Sequence, residues 1–334
     1  KYGAAGETAA ALEQELGMQG MLPRQVNEVA LRMRQAVGRL TQGRFATAWC
    51  LVFGDGQYVK ESYLTDTKQS LQMQAVFPPL KLEGEAGKAY LDEWADDSTG
   101  GRIKQLDFEL PPQVAPFFVD ILAADPDWQQ ALDTGKSRPL PFRYENGEEN
   151  AVPTMVCLQS CGIYDSVEGA LAVLPLAGDE TRLVVMLPPE GMPLHEFIPV
   201  AAARHGEWLA KAKWARQRVL LPRFKLEYSG SVMPTLNRAG LGKLLAEGAD
   251  YSAMGKGMYI SDVLHMASLT MDESGVDEPD PAATYRRGVK DDIPTLAVNR
   301  PFLVLLERTD PDGLTGGQVL MMGFVREPLA AATK

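Results

Sequence analysis

Cysteine is scarce in this chain. Its three thiols, Cys50, Cys157 and Cys161, in 334 residues are too few for a disulfide scaffold. Cys157 and Cys161 stand four apart, which is neither the CxxC redox spacing nor half of a zinc site, so they read as small, half-buried thiols. Histidine is equally rare. His195, His205 and His265 do not cluster in sequence, which speaks against a histidine-rich metal site, and no cofactor is expected. No apolar run nears the roughly 18 residues a membrane helix needs, so no membrane partner is expected. Positive charge is in deficit: 33 Lys and Arg against 44 Asp and Glu leave −11. That balance disfavours a broad nucleic-acid surface, because phosphate binding needs clustered cations. A Gly-rich phosphate loop and a GxSxG elbow are both missing, so no enzyme chemistry is indicated. Pairs such as Asp96-Asp97 and Glu148-Glu149 read as solvated faces rather than acid–base couples. The chain opens with Lys1 rather than Met, and no signal peptide is visible.

What is present is ordinary globular material, 45% apolar and 23% charged, enough for a sizeable core. Thr8 caps a helix through Leu16, with Gly17 where helices commonly stop. Pro23 opens a second, whose buried face is Val26, Val29, Met33, Val37 and Leu40. Phe45 to Phe53 reads as a buried strand before Gly54-Asp55-Gly56. Tyr90, Leu91 and Trp94 mark a helix ending at Gly100-Gly101. Later come apolar strands at Phe117–Ala123, Ala170–Leu176, Arg182–Leu187, Met258–Thr270 and Phe302–Leu306, with helices near Leu194–Lys211 and Val232–Leu245. Helices dominate the first third and strands the rest, which suggests an α+β fold rather than alternating βαβ units. No repeat or Gly/Ser-rich linker divides the chain, so residues 1–334 are read as one domain.

One stretch does not suit a compact fold. From Asp272 to about Leu296 no periodicity is usable, and the segment carries Pro279, Pro281 and Pro294, seven acidic residues, and the basic trio Arg286, Arg287 and Lys290. Structureless loops longer than about 12–15 residues are uncommon inside compact domains and are usually functional or disordered. The segment is either a solvated connection or an exposed loop offering a cleavable sequence; basic residues in such a loop are what a trypsin-like protease cuts. Composition alone leaves both readings open.

The flanks of that loop resemble the serpin family. Leu221-Pro222-Arg223-Phe224-Lys225-Leu226-Glu227-Tyr228-Ser229 is close to its "LPKFKLEYS" strand, and Tyr259-Ile260-Ser261-Asp262-Val263-Leu264-His265 matches "LYISDVxH". Asn299-Arg300-Pro301-Phe302-Leu303 and Met322-Gly323-Phe324-Val325-Arg326-Glu327-Pro328 match "NRPFLF…MGRVxxP". Ala249-Asp250-Tyr251-Ser252, Trp94…Thr99-Gly100-Gly101-Arg102-Ile103 and Trp128 fit as well, in family order. The resemblance implies a serpin-like α+β fold: a large central mixed or antiparallel sheet with further sheets, helices packed around them, and an exposed reactive-centre loop at about 272–298. It also implies a monomer in an extracellular or periplasmic setting whose partner is a serine or cysteine protease.

Two departures stand out. The family's "LGARGxT" is matched by Tyr2-Gly3-Ala4-Ala5-Gly6-Glu7-Thr8, but the two helices and strand that normally precede it are absent from this sequence, so marginal stability is expected. Second, the family asparagine that pairs with the shutter histidine, here His265, is Asp120. A buried carboxylate–imidazole pair there would be sensitive to pH; a satisfied core histidine is the other reading. Trp128 matches the tryptophan at the end of the third strand of the central sheet.

Inhibitory serpins trap a protease by inserting the cut loop as a new central strand. By resemblance the hinge starts at Glu273 and Gly275, after which the family uses threonine and small residues. Here the chain reads Val276, Asp277, Glu278, Pro279, Asp280, Pro281. Period-two alternation matched to the family puts Val276, Glu278 and Asp280 inward. Each unpartnered buried carboxylate costs several kcal/mol, and each proline removes a ladder donor from mid-sheet. Slow or incomplete insertion is expected, hence a non-inhibitory or weak, substrate-like protein; the alternative is a working suicide inhibitor. Counting from the hinge puts the scissile bond after Val289, and counting back from Pro301 puts it after Lys290. Arg287 is a third candidate, and Lys290 is preferred for a trypsin-like partner. All three basic residues could instead only balance local acid.

Overall fold

The computed structural model describes residues 3–22, 25–26, 28, 45–54, 57–71, 74–76, 84–110, 115–178, 181–277, 293–309 and 318–329. The helix expected from Pro23 to Leu40 falls almost wholly outside them. The chain divides into two compact units, Lys1–Ala124 with Glu227–Ser268, and Asp125–Leu226 with Leu269–Lys334.

In the first unit, β1 (Phe45–Val52) pairs antiparallel with β3 (Phe117–Ala124), from Phe45 opposite Ala124 to Val52 opposite Phe117, and parallel with β2 (Gln74–Val76). Alternation sends each strand's side chains to two faces. Ala46, Ala48, Cys50 and Val52 join Phe117, Val119 and Ile121 against Leu91 and Ala95 of the helix α3 (Gly84–Thr99). Leu51 and Phe53 turn the other way, toward Leu12 of α1 (Gly6–Glu15), Tyr63 of α2 (Glu61–Leu71), Tyr251 and Met254. Apolar burial on both faces explains why β1 has no polar alternation. The sheet is completed by β10 (Phe224–Ser231) and β11 (Asp262–Met271), in the order β10-β11-β3-β1-β2.

Three local expectations need correction here. Thr8 lies inside α1, whose N-cap is Ala5 without a side-chain bond; the Thr8 hydroxyl accepts from Asp250 N–H at 2.9 Å instead. The helix expected across Val232–Leu245 is broken into α5 (Met233–Arg238) and a 3₁₀ turn at Gly242–Leu244. Gly240 adopts φ +77, the left-handed conformation that closes helices and that glycine alone enters without steric cost. The strand expected from Met258 begins only at Asp262. Met258 and Ile260 are buried, but the Ile260 and Ser261 N–H groups donate to Leu245 O and Pro116 O, so these apolar positions belong to a connection.

The second unit is built on an eight-stranded sheet among the described residues. Its order is β13 (Thr295–Ala297), β9 (Lys213–Pro222), β6 (Glu149–Ser166), β7 (Gly169–Pro175), β8 (Thr181–Leu187), β14 (Phe302–Arg308) and β15 (Gln318–Val325), with β5 (Arg138–Arg143) also pairing with β6. Leu194, Phe197, Ala201 and Trp208 of α4 (Leu194–Lys211) cover Leu171, Val173, Val184, Met186, Leu303 and Leu305. The intervening residues of β7, β8 and β14 are buried too, so these strands read as continuous apolar runs.

All three cysteines are free and buried, Cys157 and Cys161 more deeply than expected. Burial pushes the thiols of Cys50 and Cys157 up and that of Cys161 up to about 11. The aperiodic segment also differs from expectation at its ends. Gly275–Asp277 forms a short strand, β12, and Thr295–Ala297 forms β13; residues 278–292 lie outside the described residues.

The anchored ends of the loop

The site is assembled from the chain on either side of β12, all within the second unit. β12 pairs parallel with β4 (Trp128–Gln130), Gly275 opposite Trp128 and Asp277 opposite Gln130. Trp128 is fully buried. Its backbone N–H donates to Ser274 O at 2.9 Å, and its indole N–H donates to Asp272 O at 2.6 Å. Leu132 N–H donates to Glu273 O at 2.9 Å. Just before β12, the Asp272 carboxylate accepts from Ser274 N–H at 2.8 Å, the turn by which an aspartate holds its own chain two residues on.

Glu273 is 6% exposed, and a buried carboxylate needs partners. Three donors converge on its Oε1: Arg223 Nε at 2.9 Å, Arg223 Nη2 at 2.7 Å and the Ser137 hydroxyl at 2.5 Å. Arg223 is itself placed by its backbone, where N–H donates to Pro153 O and C=O accepts from Leu329 N–H. Gly275 is required by proximity rather than by dihedral. A Cβ there would lie 2.1 Å from Ala131 N and 2.3 Å from Ala131 Cα, backbone atoms that cannot yield.

At the far end, Arg218 N–H donates to Pro294 O at 2.9 Å and β13 runs parallel to β9, Thr295 beside Arg218 and Ala297 beside Leu220. Both ends of the loop are therefore tied by backbone ladders. Of the hinge residues read from the sequence, Glu273, Gly275 and the backbone of Val276 are in place. Glu278, Pro279, Asp280 and Pro281, and the scissile candidates Arg287, Val289 and Lys290, lie outside the described residues.

In the first unit His265 and Asp120 do meet, Nδ1 to Oδ2 at 2.8 Å, with the Tyr228 ring 5.9 Å from the imidazole. Their side chains are 30% and 47% exposed, so the pair is not the buried couple anticipated. Sequence reasoning missed Arg223 and Ser137 as site residues. Arg223 sits in a recognisable strand motif, but Ser137 lies 136 residues from Glu273 in a stretch with no motif to flag it.

The whole arrangement agrees with a comparison of sequences: the model of the family described as Serpin (serine protease inhibitor) matches residues 1–328. This chain is a serpin. It is 26% identical over 298 residues to Serpin I2 of Homo sapiens, covering 85% of this chain and 71% of that protein. It is 25% identical over 249 residues to Intracellular coagulation inhibitor 2 of Tachypleus tridentatus, covering 72% of this chain and 60% of that one. The crystal structure of native protease nexin-1 with heparin superposes with TM-score 0.82 at 17% identity, over 98% of this serpin and 88% of that chain. The fold anticipated from the sequence is thus the fold found. No helix among the described residues is long and apolar enough to cross a membrane.

Proposed function

We propose that residues from about 272 to 298 of this serpin form a reactive-centre loop offered to a protease, and that the loop is cut as a substrate more readily than it traps. The observation that carries the reading is the position of β12. It is zipped to β4 up to Asp277 and locked at Glu273, and the next four residues are Glu278, Pro279, Asp280 and Pro281. Insertion would have to continue the ladder through two residues that lack an N–H and two carboxylates that would need partners. Hydrolysis of the acyl-enzyme competes with insertion, so a slow hinge releases the protease. Lys290 is the proposed scissile residue, with Val289 and Arg287 as alternatives.

The one family match runs across both compact units, which supports reading them as one domain. His265 and Asp120 then join strands of the central sheet between which an added strand would enter. The protein is proposed to act as a monomer, without cofactor or catalytic residues of its own, in an extracellular or periplasmic setting.

A second reading, a functional suicide inhibitor of a serine or cysteine protease, is favoured by the family and by relatives whose names call them inhibitors. Incubation with trypsin separates the two. The expected result is a nick after Lys290 by mass spectrometry, no SDS-resistant adduct, and little change in melting temperature after nicking. A covalent adduct, or a large rise in melting temperature, would overturn the substrate reading.

A further inference from the structure

Three connections of the second unit meet around a cleft of about 220 Å³: the β5–β6 turn, the link from β8 to α4 and the link from β13 to β14. Tyr144, Met192 and Pro193 line it, and so do two guanidinium groups, Arg143 and Arg300. The walls are fixed beforehand. The Tyr144 ring stands edge-on to the buried Phe142 ring, centroids 5.2 Å apart, and Met192 packs against the apolar cluster beneath α4. Backbone bonds close the frame: Arg143 N–H donates to Asn299 O at 2.9 Å and Met192 N–H to Pro189 O at 3.2 Å. A preformed cleft with apolar walls and a few converging polar groups is the usual setting of a small-molecule site.

The charges there are incompletely matched. Glu145 is spent, its carboxylate accepting from Leu194 N–H at 3.0 Å. Arg300 donates from Nε and Nη2 to Pro188 O at 2.8 Å and 2.6 Å, and from Nη1 to Asn299 Oδ1 at 2.9 Å. A guanidinium has five N–H groups, so one hydrogen on each terminal nitrogen is left for a ligand. Burial disfavours the Arg300 charge and holds its pKa below the usual guanidinium range; Glu190 and Asp165 offset part of that, and Arg143 adds to it. Neither acid forms an ion pair with Arg300 among the described residues. The exposed Arg143 side chain has no hydrogen-bond or ion-pair partner among them either.

We infer that this cleft binds a small organic monocarboxylate with an aromatic body, the carboxylate held between Arg143 and Arg300 and the ring laid against Tyr144, Met192 and Pro193. A planar guanidinium fork matches the two oxygens of a carboxylate. The apolar walls call for a body on the ligand rather than a bare ion. Glu190, exposed and also in the lining, favours one negative charge over two. The volume lies below the roughly 300 Å³ at which drug-sized sites begin, so a single ring is the size that fits. None of residues 272–298 takes part, so the inference stands or falls independently of the loop reading.

Fluorine NMR titration of the full chain with para-fluorobenzoate tests this, with neutral para-fluorobenzamide and inorganic phosphate as controls. The benzoate is expected to bind saturably and about tenfold or more tighter than the amide, because its hydrogen bonds are charge-assisted. Arg143→Ala should weaken the benzoate about tenfold and Arg143→Lys by less, whereas Arg138→Ala, at the other end of β5, should leave it unchanged. Arg143 and Arg138 are exposed, and equal melting temperatures will confirm that these variants fold. With the benzoate at about ten times its Kd, the Arg143 and Met192 amides should exchange roughly tenfold more slowly, while the Trp128 amide keeps its rate. No saturation, equal affinity for the amide, wild-type affinity in Arg143→Ala, or an equal loss in Arg138→Ala would each overturn the inference. Phosphate displacing the benzoate at equal concentration would mark a plain anion site and overturn it too.

Discussion

Replacing Glu273 by alanine should release the start of the loop while leaving the core of the second unit alone. Its carboxylate is buried, and a single oxygen receives two bonds from Arg223 and one from Ser137. Removing one partner of a buried, hydrogen-bonded ion pair costs about 3–5 kcal/mol. Arg223 is 36% exposed, so water recovers part of that, and about 3 kcal/mol is a fair value. At about 1.4 kcal/mol per factor of ten, the local opening equilibrium should shift by roughly a hundredfold. Native-state hydrogen exchange reads this directly, because the amides of Trp128 and Leu132 donate to Ser274 and Glu273. Both should exchange about a hundredfold faster in the variant, while amides of β7, β8 and β14 keep their protection. Ser137→Ala, removing one donor, should accelerate the same amides by about tenfold or less. Unchanged rates at Trp128 and Leu132, or an equal acceleration throughout the second unit, would refute the idea of a local latch.

Gly275→Ala should lower the urea midpoint by the equivalent of about 2 kcal/mol, since its methyl meets the backbone of Ala131; a midpoint equal to wild type would show that the strands part freely. Glu307 is 1% exposed. Burial alone would raise its pKa, but the hydrogen bond and charge of His205 and the charge of Arg182 outweigh that and hold the carboxyl below its ordinary range. A depressed native value means stability that is complete above the ordinary carboxylate pKa and drains away as pH falls through the lower one. Glu307→Gln should therefore flatten the acid limb of stability measured by urea titration between pH 7 and about pH 2, and parallel limbs would count against it. Native protein at pH 8 should resist iodoacetamide at all three cysteines, because burial raises each thiol, and should take up three adducts once denatured; rapid labelling of the native form would contradict the burial.

Strands with a strong apolar signature were legible in the sequence almost to the residue. Phe117–Ala123 and Arg182–Leu187 are found within one residue of their expected bounds, because each is a short, dense apolar run bounded by turn residues, buried almost throughout in the second and at every other position in the first. Met258–Ile260 shows the limit of that signal: apolar side chains report burial, but only backbone pairing makes a strand. Helix breaks depend on single glycines: Gly240, in the left-handed conformation, ends a helix that the apolar spacing around it would carry on. In the loop anchor, Glu273 and Gly275 were visible through family resemblance, whereas Ser137 was not, because a hydroxyl brought in from 136 residues away leaves no local trace. The exposed setting of Asp120 and His265 was likewise invisible, since residue types reveal a pair but not how much water reaches it.

The indole of Trp128 is sealed from water and bonded through its N–H to the main chain of Asp272. That bond makes it a built-in optical reporter: any departure of the loop's root hydrates the ring and moves its emission to the red. With Trp49, Trp94, Trp208 and Trp214 changed to phenylalanine, a stopped-flow fluorimeter could time the event during proteolysis without an added label.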